Sequence, residues 1–240
     1  MITDQYSNIL YLSDLLEKDF QVFYIEFSRA LAKNDIYVKI LHGTKAVWCR
    51  DYMPIQVKGD KYVQFKYQPS YLKGLEHTIS DTTAICKGLK IPVTESDIKI
   101  DGGNMIKSDN AVILTDRIYK ENPTKNKPQL LKEIKTVLEV EKVIIIPANP
   151  WEDFGHADGM VRFFDNKTVL VNDYSKSRES RSFQEKLYGI IGNHGLNIIQ
   201  IPCYPDYSRT KERNQLAYGI YINYLQIGNK VFLPVFGNDE

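Results

Sequence analysis

The sequence is poor in three features that would point to particular classes of protein. Its 3 cysteines are an odd number without close pairing, so they do not suggest a disulfide framework. No apolar run approaches the roughly 20 residues that cross a bilayer, and the first residues, MITDQYSN, lack the basic and apolar parts of a secretory signal. Charge is balanced, with 31 Lys and Arg against 30 Asp and Glu. The composition therefore predicts a cytoplasmic protein without a nucleic-acid or membrane partner.

What the chain does contain is one arrangement repeated four times: a helix, a β-branched strand, a polar cluster and a hairpin. The helices are expected at residues 20–31, 82–89, 130–138 and 183–191. The hairpins are expected to turn at Gly59-Asp60, Asp109-Asn110, Asp165-Asn166 and Gly228-Asn229. The polar clusters are WCRD (48–51), DGGN (101–104), GHADG (155–159) and YIN (221–223). They recur at intervals of about 50 to 67 residues, which is typical of supersecondary units stacked or arranged around an axis.

The repeats predict an α/β fold of ββαβ units that forms one domain over residues 1–240. A strand-like run, NILYLS, opens the chain without a hairpin partner before it, and the chain stops just after the fourth hairpin. A fifth unit would pair with that run, and proteins usually cover or close such strand edges. We therefore expect an α/β propeller with a pseudo-five-fold axis, about four-fifths of which is present.

Each polar cluster follows a strand at the same place in its unit, so a ring would bring all four to one end of its axis. The side chains expected to converge there are Asp51, Asp101, His156, Asp158 and Asn223. Three carboxylates and one imidazole would form an acidic pocket with a proton carrier. A guanidinium presents a planar fork of donors that carboxylates bind in bidentate fashion. An imidazole could protonate departing ammonia and then activate water.

Two other interpretations of these clusters have weaker support. His156 and Asp158 could be half of a metal site, but no second pair of histidines or cysteines lies at ligand spacing. Gly102-Gly103 could belong to a phosphate-binding turn, but the longer glycine pattern and the following helix are missing. These glycines are expected instead to let the backbone approach the centre of the ring.

The motifs WCRD, DGGN, HADGMVRF and GIYINYLQIGNKVFLP resemble, in order, those of the agmatine deiminase and bacterial-type peptidylarginine deiminase family. The resemblance extends from about residue 8 to the end of the chain. It implies a five-bladed α/β propeller that hydrolyses a guanidine to a ureido group and ammonia through a thiouronium intermediate. No metal or cofactor is implied.

The resemblance also implies a role for each matching residue. Asp51 and Asp158 would clamp the guanidinium, and His156 would be the general acid and base. Asp101 stands where most members have glutamate, which leaves its direct contact with substrate or His156 open. Trp48 and Asn223 match positions that line the site. The implied substrate is agmatine, on the route to putrescine, or the arginine of a peptide; homo-oligomerisation is left open.

The resemblance does not supply a nucleophile within these residues. In the family, the catalytic cysteine lies in a glycine-rich segment that would fall about one repeat beyond Asn223 and therefore after Glu240. Cys49 is nearest to the predicted site but occupies a variable position of its motif, whereas Cys86 and Cys203 are expected to be packed side chains. The 240 residues alone are therefore expected to be inactive. A non-catalytic guanidine-binding or structural relative remains the alternative of another class.

Overall fold

A computed structural model describes residues 1–175, 178–204 and 217–236, with residues 178 and 179 given by their backbone alone. The chain divides into two compact units. The N-terminal unit comprises Ile2–Gly102 and Gln226–Val231, and the C-terminal unit comprises Met1, Gly103–Leu225 and Phe232–Glu240. The single domain predicted over residues 1–240 stays a prediction. Among the described helices, none has the length and apolar character needed to cross a membrane.

The described segments form thirteen strands, seven α-helices and four 3₁₀ turns. The strands are β1 (Ile9–Ser13), β2 (Tyr37–Leu41), β3 (Ile55–Lys58), β4 (Lys61–Lys66), β5 (Val93–Lys99), β6 (Ile106–Lys107), β7 (Ala111–Thr115), β8 (Lys142–Ile146), β9 (Val161–Phe163), β10 (Thr168–Asn172), β11 (Asn197–Ile201), β12 (Leu225–Ile227) and β13 (Lys230–Phe232). The α-helices are α1 (Leu15–Asp19), α2 (Gln21–Lys33), α3 (Cys49–Tyr52), α4 (Thr82–Gly88), α5 (Arg117–Glu121), α6 (Lys127–Leu138) and α7 (Arg178–Asn193). The 3₁₀ turns are Asp4–Tyr6, Ser70–Leu72, Glu76–Thr78 and Gly102–Asn104.

Three sheets have the same three-stranded topology. Their strand orders are β3-β4-β5, β6-β7-β8 and β11-β10-β9. In each sheet an antiparallel hairpin is followed by a helix and then by a strand parallel to the second hairpin strand. This is the ββαβ unit expected from the sequence, and all four predicted helices and all four hairpins are present. The α/β fold of repeated units is confirmed.

Two further sheets have two strands each among the described residues. The opening run predicted from NILYLS is β1, which pairs in parallel with β2 from Ile9 opposite Tyr37 to Ser13 opposite Leu41. The fourth hairpin forms the pair β12-β13. The predicted arrangement of the units around a five-fold axis stays a prediction.

Local signals in the sequence explain where two of the helices begin. The carboxylate of Asp81 accepts the N–H of Ala84 at 3.0 Å and caps α4. The side chain of Asn126 accepts the N–H of Gln129 at 2.8 Å at the start of α6, where a proline occupies the first turn. Because these caps satisfy amides that the helix leaves unpaired, the two helices start at the positions that the sequence marks.

Each unit has its own buried core. In the C-terminal unit it includes both β-sheets and α7, with Ile113, Ile144, Val171 and Leu187 completely buried. All five residues of β7 are buried. In the N-terminal unit Leu41, Tyr52 and Ile85 form the centre of a smaller cluster. The polar loops that follow β2, β5 and β8 are thus anchored at strand ends that burial of apolar surface holds in place.

Candidate active site

Asp51 lies on α3, the single helical turn that follows Trp48. Its N–H donates to the carbonyl of Trp48 at 3.1 Å. The neighbouring Tyr52 is 1% exposed and donates its hydroxyl to the carbonyl of Ala46 at 3.0 Å. Cys49 begins this helical turn, which extends to Tyr52. With Tyr52 fixed in the core, Asp51 is left partly exposed, and Trp48 is 60% exposed.

The DGGN motif approaches α3 through Gly102. A Cβ built on this glycine would lie 1.8 Å from the carbonyl oxygen of Arg50. Such a contact is impossible for any residue with a side chain, so the glycine is required by the close approach of two backbones. The sequence predicted that these glycines let the backbone approach the centre of the ring, and this stays a prediction. In the structure, Gly102 approaches the backbone of Arg50 in the WCRD motif.

Two tyrosines interact electrostatically with both Asp51 and Asp101. The hydroxyl of Tyr71 donates to Oδ2 of Asp101 at 2.9 Å and is also hydrogen-bonded to Tyr67. Burial raises the pKa of Tyr71, and the negative charges of Asp101 and Asp51 raise it further. Burial and then Asp51 likewise raise the pKa of Tyr67. Both phenols therefore remain neutral donors beside the two carboxylates, and Asp101 is itself only 7% exposed.

His156 and Asp158 lie in the C-terminal unit, in the loop between β8 and β9. Gly155, which precedes the histidine, has a φ of +62°, a conformation that glycine adopts without strain. His156 is buried, 9% exposed, with its ring centre 6.0 Å from that of Phe154. The N–H of Asp158 donates to the carbonyl of Gly103 at 3.0 Å. The GHADG motif thus forms a structured turn with one imidazole and one carboxylate.

Glu152 belongs to this group but was not predicted from the sequence. Burial raises its pKa to about 7, and Asp158 and Asp153 raise it as well, whereas His156 and Arg117 oppose the shift. Its charge is therefore coupled to those of His156 and Asp158. The only sequence signal was an acidic pair four and three residues before the histidine, which is common in loops.

Asn223 lies in the turn that precedes β12 and is exposed, whereas its neighbour Ile222 is 1% exposed. The roles assigned to Trp48, Asp51, Asp101, His156, Asp158 and Asn223, and their convergence on one cavity, stay predictions. Within the described ranges, no group of three His, Cys, Asp or Glu side chains is placed to hold a metal ion.

None of the three cysteines has the surroundings of an activated thiolate. Burial raises the pKa of Cys49, whose Sγ lies 3.5 Å from the hydroxyl of Tyr52 and packs against the N-terminal core. Burial raises the pKa of Cys86 to about 11. Cys203 is 3% exposed, and its backbone forms an isolated antiparallel β-bridge with that of Ile220. Reactive cysteines are usually partly exposed, with their pKa lowered by nearby positive charge.

Comparisons with known proteins agree with the motifs. The sequence model of the Porphyromonas-type peptidyl-arginine deiminase family matches residues 16–240. No curated protein matches the chain at a significant level. Solved structures do match at low sequence identity, and at that level they show a shared fold.

Three of these structures illustrate the likeness. The C. jejuni agmatine deiminase, in a cysteine-to-serine variant with substrate bound, is 17% identical with a TM-score of 0.78 over 99% of this chain and 83% of that one. The agmatine deiminase of Enterococcus faecalis is 16% identical with a TM-score of 0.72 over 97% and 82%. DDAH from Pseudomonas aeruginosa, a cysteine-to-serine variant with citrulline, is 12% identical with a TM-score of 0.56 over 95% and 84%.

Proposed function

The chain belongs to the Porphyromonas-type peptidyl-arginine deiminase family, and from this we propose that it binds the guanidinium group of agmatine for hydrolytic deimination. The products would be N-carbamoylputrescine and ammonia, a step toward putrescine in the cytoplasm. The observation that carries the proposal is the close approach of WCRD and DGGN. Near this contact, Asp51 and Asp101 both act electrostatically on the same pair of neutral tyrosines, Tyr67 and Tyr71, which supports the proposal.

A carboxylate beside neutral donors suits a cationic ligand. Asp101 already accepts a hydrogen bond from Tyr71, so we assign it to shaping the pocket. Asp51 is partly exposed, and we assign it, with Asp158, to direct binding of the guanidinium. Bidentate pairing would favour the planar guanidinium over the compact ammonium of a lysine-like ligand. Trp48 and Asn223 are proposed to complete the substrate contacts.

His156 is proposed as the general acid and base. A thiolate would attack the guanidinium carbon, and His156 would protonate the amino group of the resulting adduct, which then leaves as ammonia. Water, activated by the same imidazole, would then attack the thiouronium and release the ureido product together with the thiolate. The variants of agmatine deiminase and DDAH in which serine replaces cysteine support a cysteine mechanism for the fold.

Two arginines bear on the choice between agmatine and arginine substrates, because an arginine substrate has a carboxylate to bind. Nη1 of Arg162 donates to the carbonyl of Tyr224 at 2.6 Å, and its guanidinium carbon lies 3.9 Å from the centre of that ring. Arg50 lies 4.0 Å from the carboxylate of Asp4. Both arginines next to the motifs are therefore engaged within the protein, which favours agmatine over free or C-terminal arginine.

One observation favours a second candidate, namely binding without catalysis by these residues. The raised pKa values of Cys49 and Cys86 and the burial of Cys203 give the chain no activated thiol. Under this candidate the 240 residues hold a guanidine but do not convert it.

Calorimetric titration tests the shared part of both candidates. Agmatine should bind, and 1,5-diaminopentane should bind much more weakly because it lacks the planar guanidinium. Asp158→Asn should remove this difference in affinity between the two ligands. A peptide with an internal arginine serves as the third ligand. Equal affinity for the diamine and agmatine would overturn the proposal, and tighter binding of the peptide would reassign the substrate.

A further inference from the structure

The loop that carries His156 and Asp158 is held by side chains whose role the motifs do not reveal. Three backbone carbonyls of this loop each accept a hydrogen bond of 2.6 Å from a side chain of an adjacent element. The donors and acceptors are Arg117 to Asp153, Thr115 to Gly155 and Asn172 to Gly159. The three acceptors bracket His156 and Asp158 on both sides.

Thr115 is the central contact. It ends β7, is completely buried, and uses both of its donors. Its N–H donates to Oδ1 of Asn104 at 2.9 Å, and its hydroxyl donates to the carbonyl of Gly155. The last residue of the DGGN motif and the residue before the histidine are thereby linked through one threonine.

Arg117 supports the same stretch from α5. Its Nε pairs with Glu121 at 3.1 Å while Nη1 bonds the carbonyl of Asp153, so the guanidinium has a fixed orientation. The backbone of Gly155 packs against the stem of this arginine, because a Cβ on the glycine would lie 3.0 Å from its Cδ. The loop is consequently confined by contact as well as by hydrogen bonds.

Asn172 holds the other end. It is the last residue of β10 and is 1% exposed. Its side-chain amide donates to the carbonyl of Gly159, and its own N–H donates to the carbonyl of Met160 at 3.1 Å. The turn that follows Asp158 is therefore bonded to the strand end by two adjacent contacts.

We propose that Thr115, Arg117 and Asn172 are positioning residues, which set the places of His156 and Asp158 by holding the loop carbonyls around them. The inference rests on the proposed function, since it assigns these side chains to the site that binds the guanidinium. Groups that act on a reacting centre must be placed closely, because displacements near 1 Å cost large factors in efficiency. A loop without regular secondary structure needs such external bonds to reach that accuracy.

The test compares Thr115→Val, which removes the hydroxyl at nearly constant shape, with Thr115→Ser, which keeps it. Thr136→Val is the matched control, because the hydroxyl of Thr136 also donates to a backbone carbonyl, that of Lys132 at 2.9 Å, but on the exposed face of α6. The first measurement is the pH titration of the His156 imidazole by NMR, assigned with His156→Gln. The second is the dissociation constant for agmatine.

Thr115→Val should shift the His156 titration and weaken agmatine binding by on the order of tenfold, while Thr115→Ser and Thr136→Val leave both unchanged. A folded Thr115→Val protein with the wild-type titration and affinity would overturn the inference and leave the proposed function standing. Failure of the wild type to bind agmatine would overturn the proposed function, and the titration without ligand would still decide the positioning role.

If Thr115→Val does not fold, Arg117→Lys is the variant that tests the inference. This change keeps the positive charge near His156 and Glu152 but loses the fork that reaches Asp153 and Glu121 together. The same two measurements apply. A shifted titration and a weaker affinity support the inference, and wild-type values for both overturn it.

Discussion

Gly102 and the carbonyl oxygen of Arg50 are in a contact that leaves no space for a side chain, since a Cβ on the glycine would lie 1.8 Å from that oxygen. This contact connects two of the four motifs by their backbones. It explains why a glycine follows Asp101 directly, and it determines how the two acidic residues of the N-terminal unit are presented.

Gly102→Ala should therefore destabilise the protein and weaken agmatine binding. Relief of the clash requires α3 to move away from Asp101, and overpacking of this kind costs about 1–3 kcal/mol. Gly189→Ala is the control, because Gly189 lies in α7 with open space around its Cα, where alanine should stabilise by about 0.5–1 kcal/mol. Chemical denaturation of both variants measures the difference; similar effects at the two sites would contradict the contact.

Asp51→Asn should weaken agmatine binding more than Asp101→Asn. Loss of a buried charge-assisted pair with a ligand costs about 2–5 kcal/mol, and of these two residues only Asp51 is proposed to contact the guanidinium. Asp101 is 7% exposed and bonded to Tyr71, so its replacement should mainly affect stability. Calorimetric titration and thermal denaturation of the two variants separate these effects. Small, equal losses of affinity would leave the two roles unsupported.

The sequence predicted the repeating elements well, because their signals are local. The helical spacing of Leu130, Ile134 and Leu138 corresponds to the buried face of α6, and Gly59-Asp60 forms the turn between β3 and β4. Each of these inferences depends on residues close together in the chain.

The supporting residues of the site could not be predicted in this way. Tyr67 and Tyr71 are 2 of 16 tyrosines, and nothing in their sequence neighbourhood distinguishes them. Thr115 reads as the end of an apolar strand, and its contact with Gly155 spans 40 residues of sequence. Such contacts depend on which strand ends meet in space, and no periodicity in a single sequence contains that information.

Glu152 should give the protein a pH-dependent stability. Its pKa rises from the ordinary 4.5 to about 7 on folding, so the folded protein binds a proton more tightly than the unfolded chain. The stability that this proton binding adds to the folded protein is fully present below pH 4.5 and is lost as the pH rises to about 7. Glu152→Gln should consequently be more stable than wild type above pH 7, by up to about 3 kcal/mol, and similar to it below pH 4.5.

Denaturant titrations of both proteins across this range provide the measurement. Glu76→Gln serves as a control whose stability should depend on pH in the opposite direction, because backbone N–H groups lower the pKa of this exposed carboxylate. If the difference in free energy of unfolding between wild type and Glu152→Gln does not change with pH, Glu152 is not held in its neutral form.

The 240 residues alone should release no ammonia from agmatine. The guanidinium is resonance-stabilised and is attacked poorly by water, so the reaction needs a thiolate to divide it into two easier displacements. Burial raises the pKa of Cys49 and, to about 11, that of Cys86, and Cys203 is 3% exposed. Loss of the nucleophile from a cooperating set costs roughly 10⁶-fold in rate, which places activity below detection even where binding is intact.

An ammonia assay, with the C. jejuni agmatine deiminase as the positive control, measures this directly. If the chain does release ammonia and Cys49→Ser abolishes the release, Cys49 is the nucleophile, and α3 must move to expose a thiol that now packs against Tyr52.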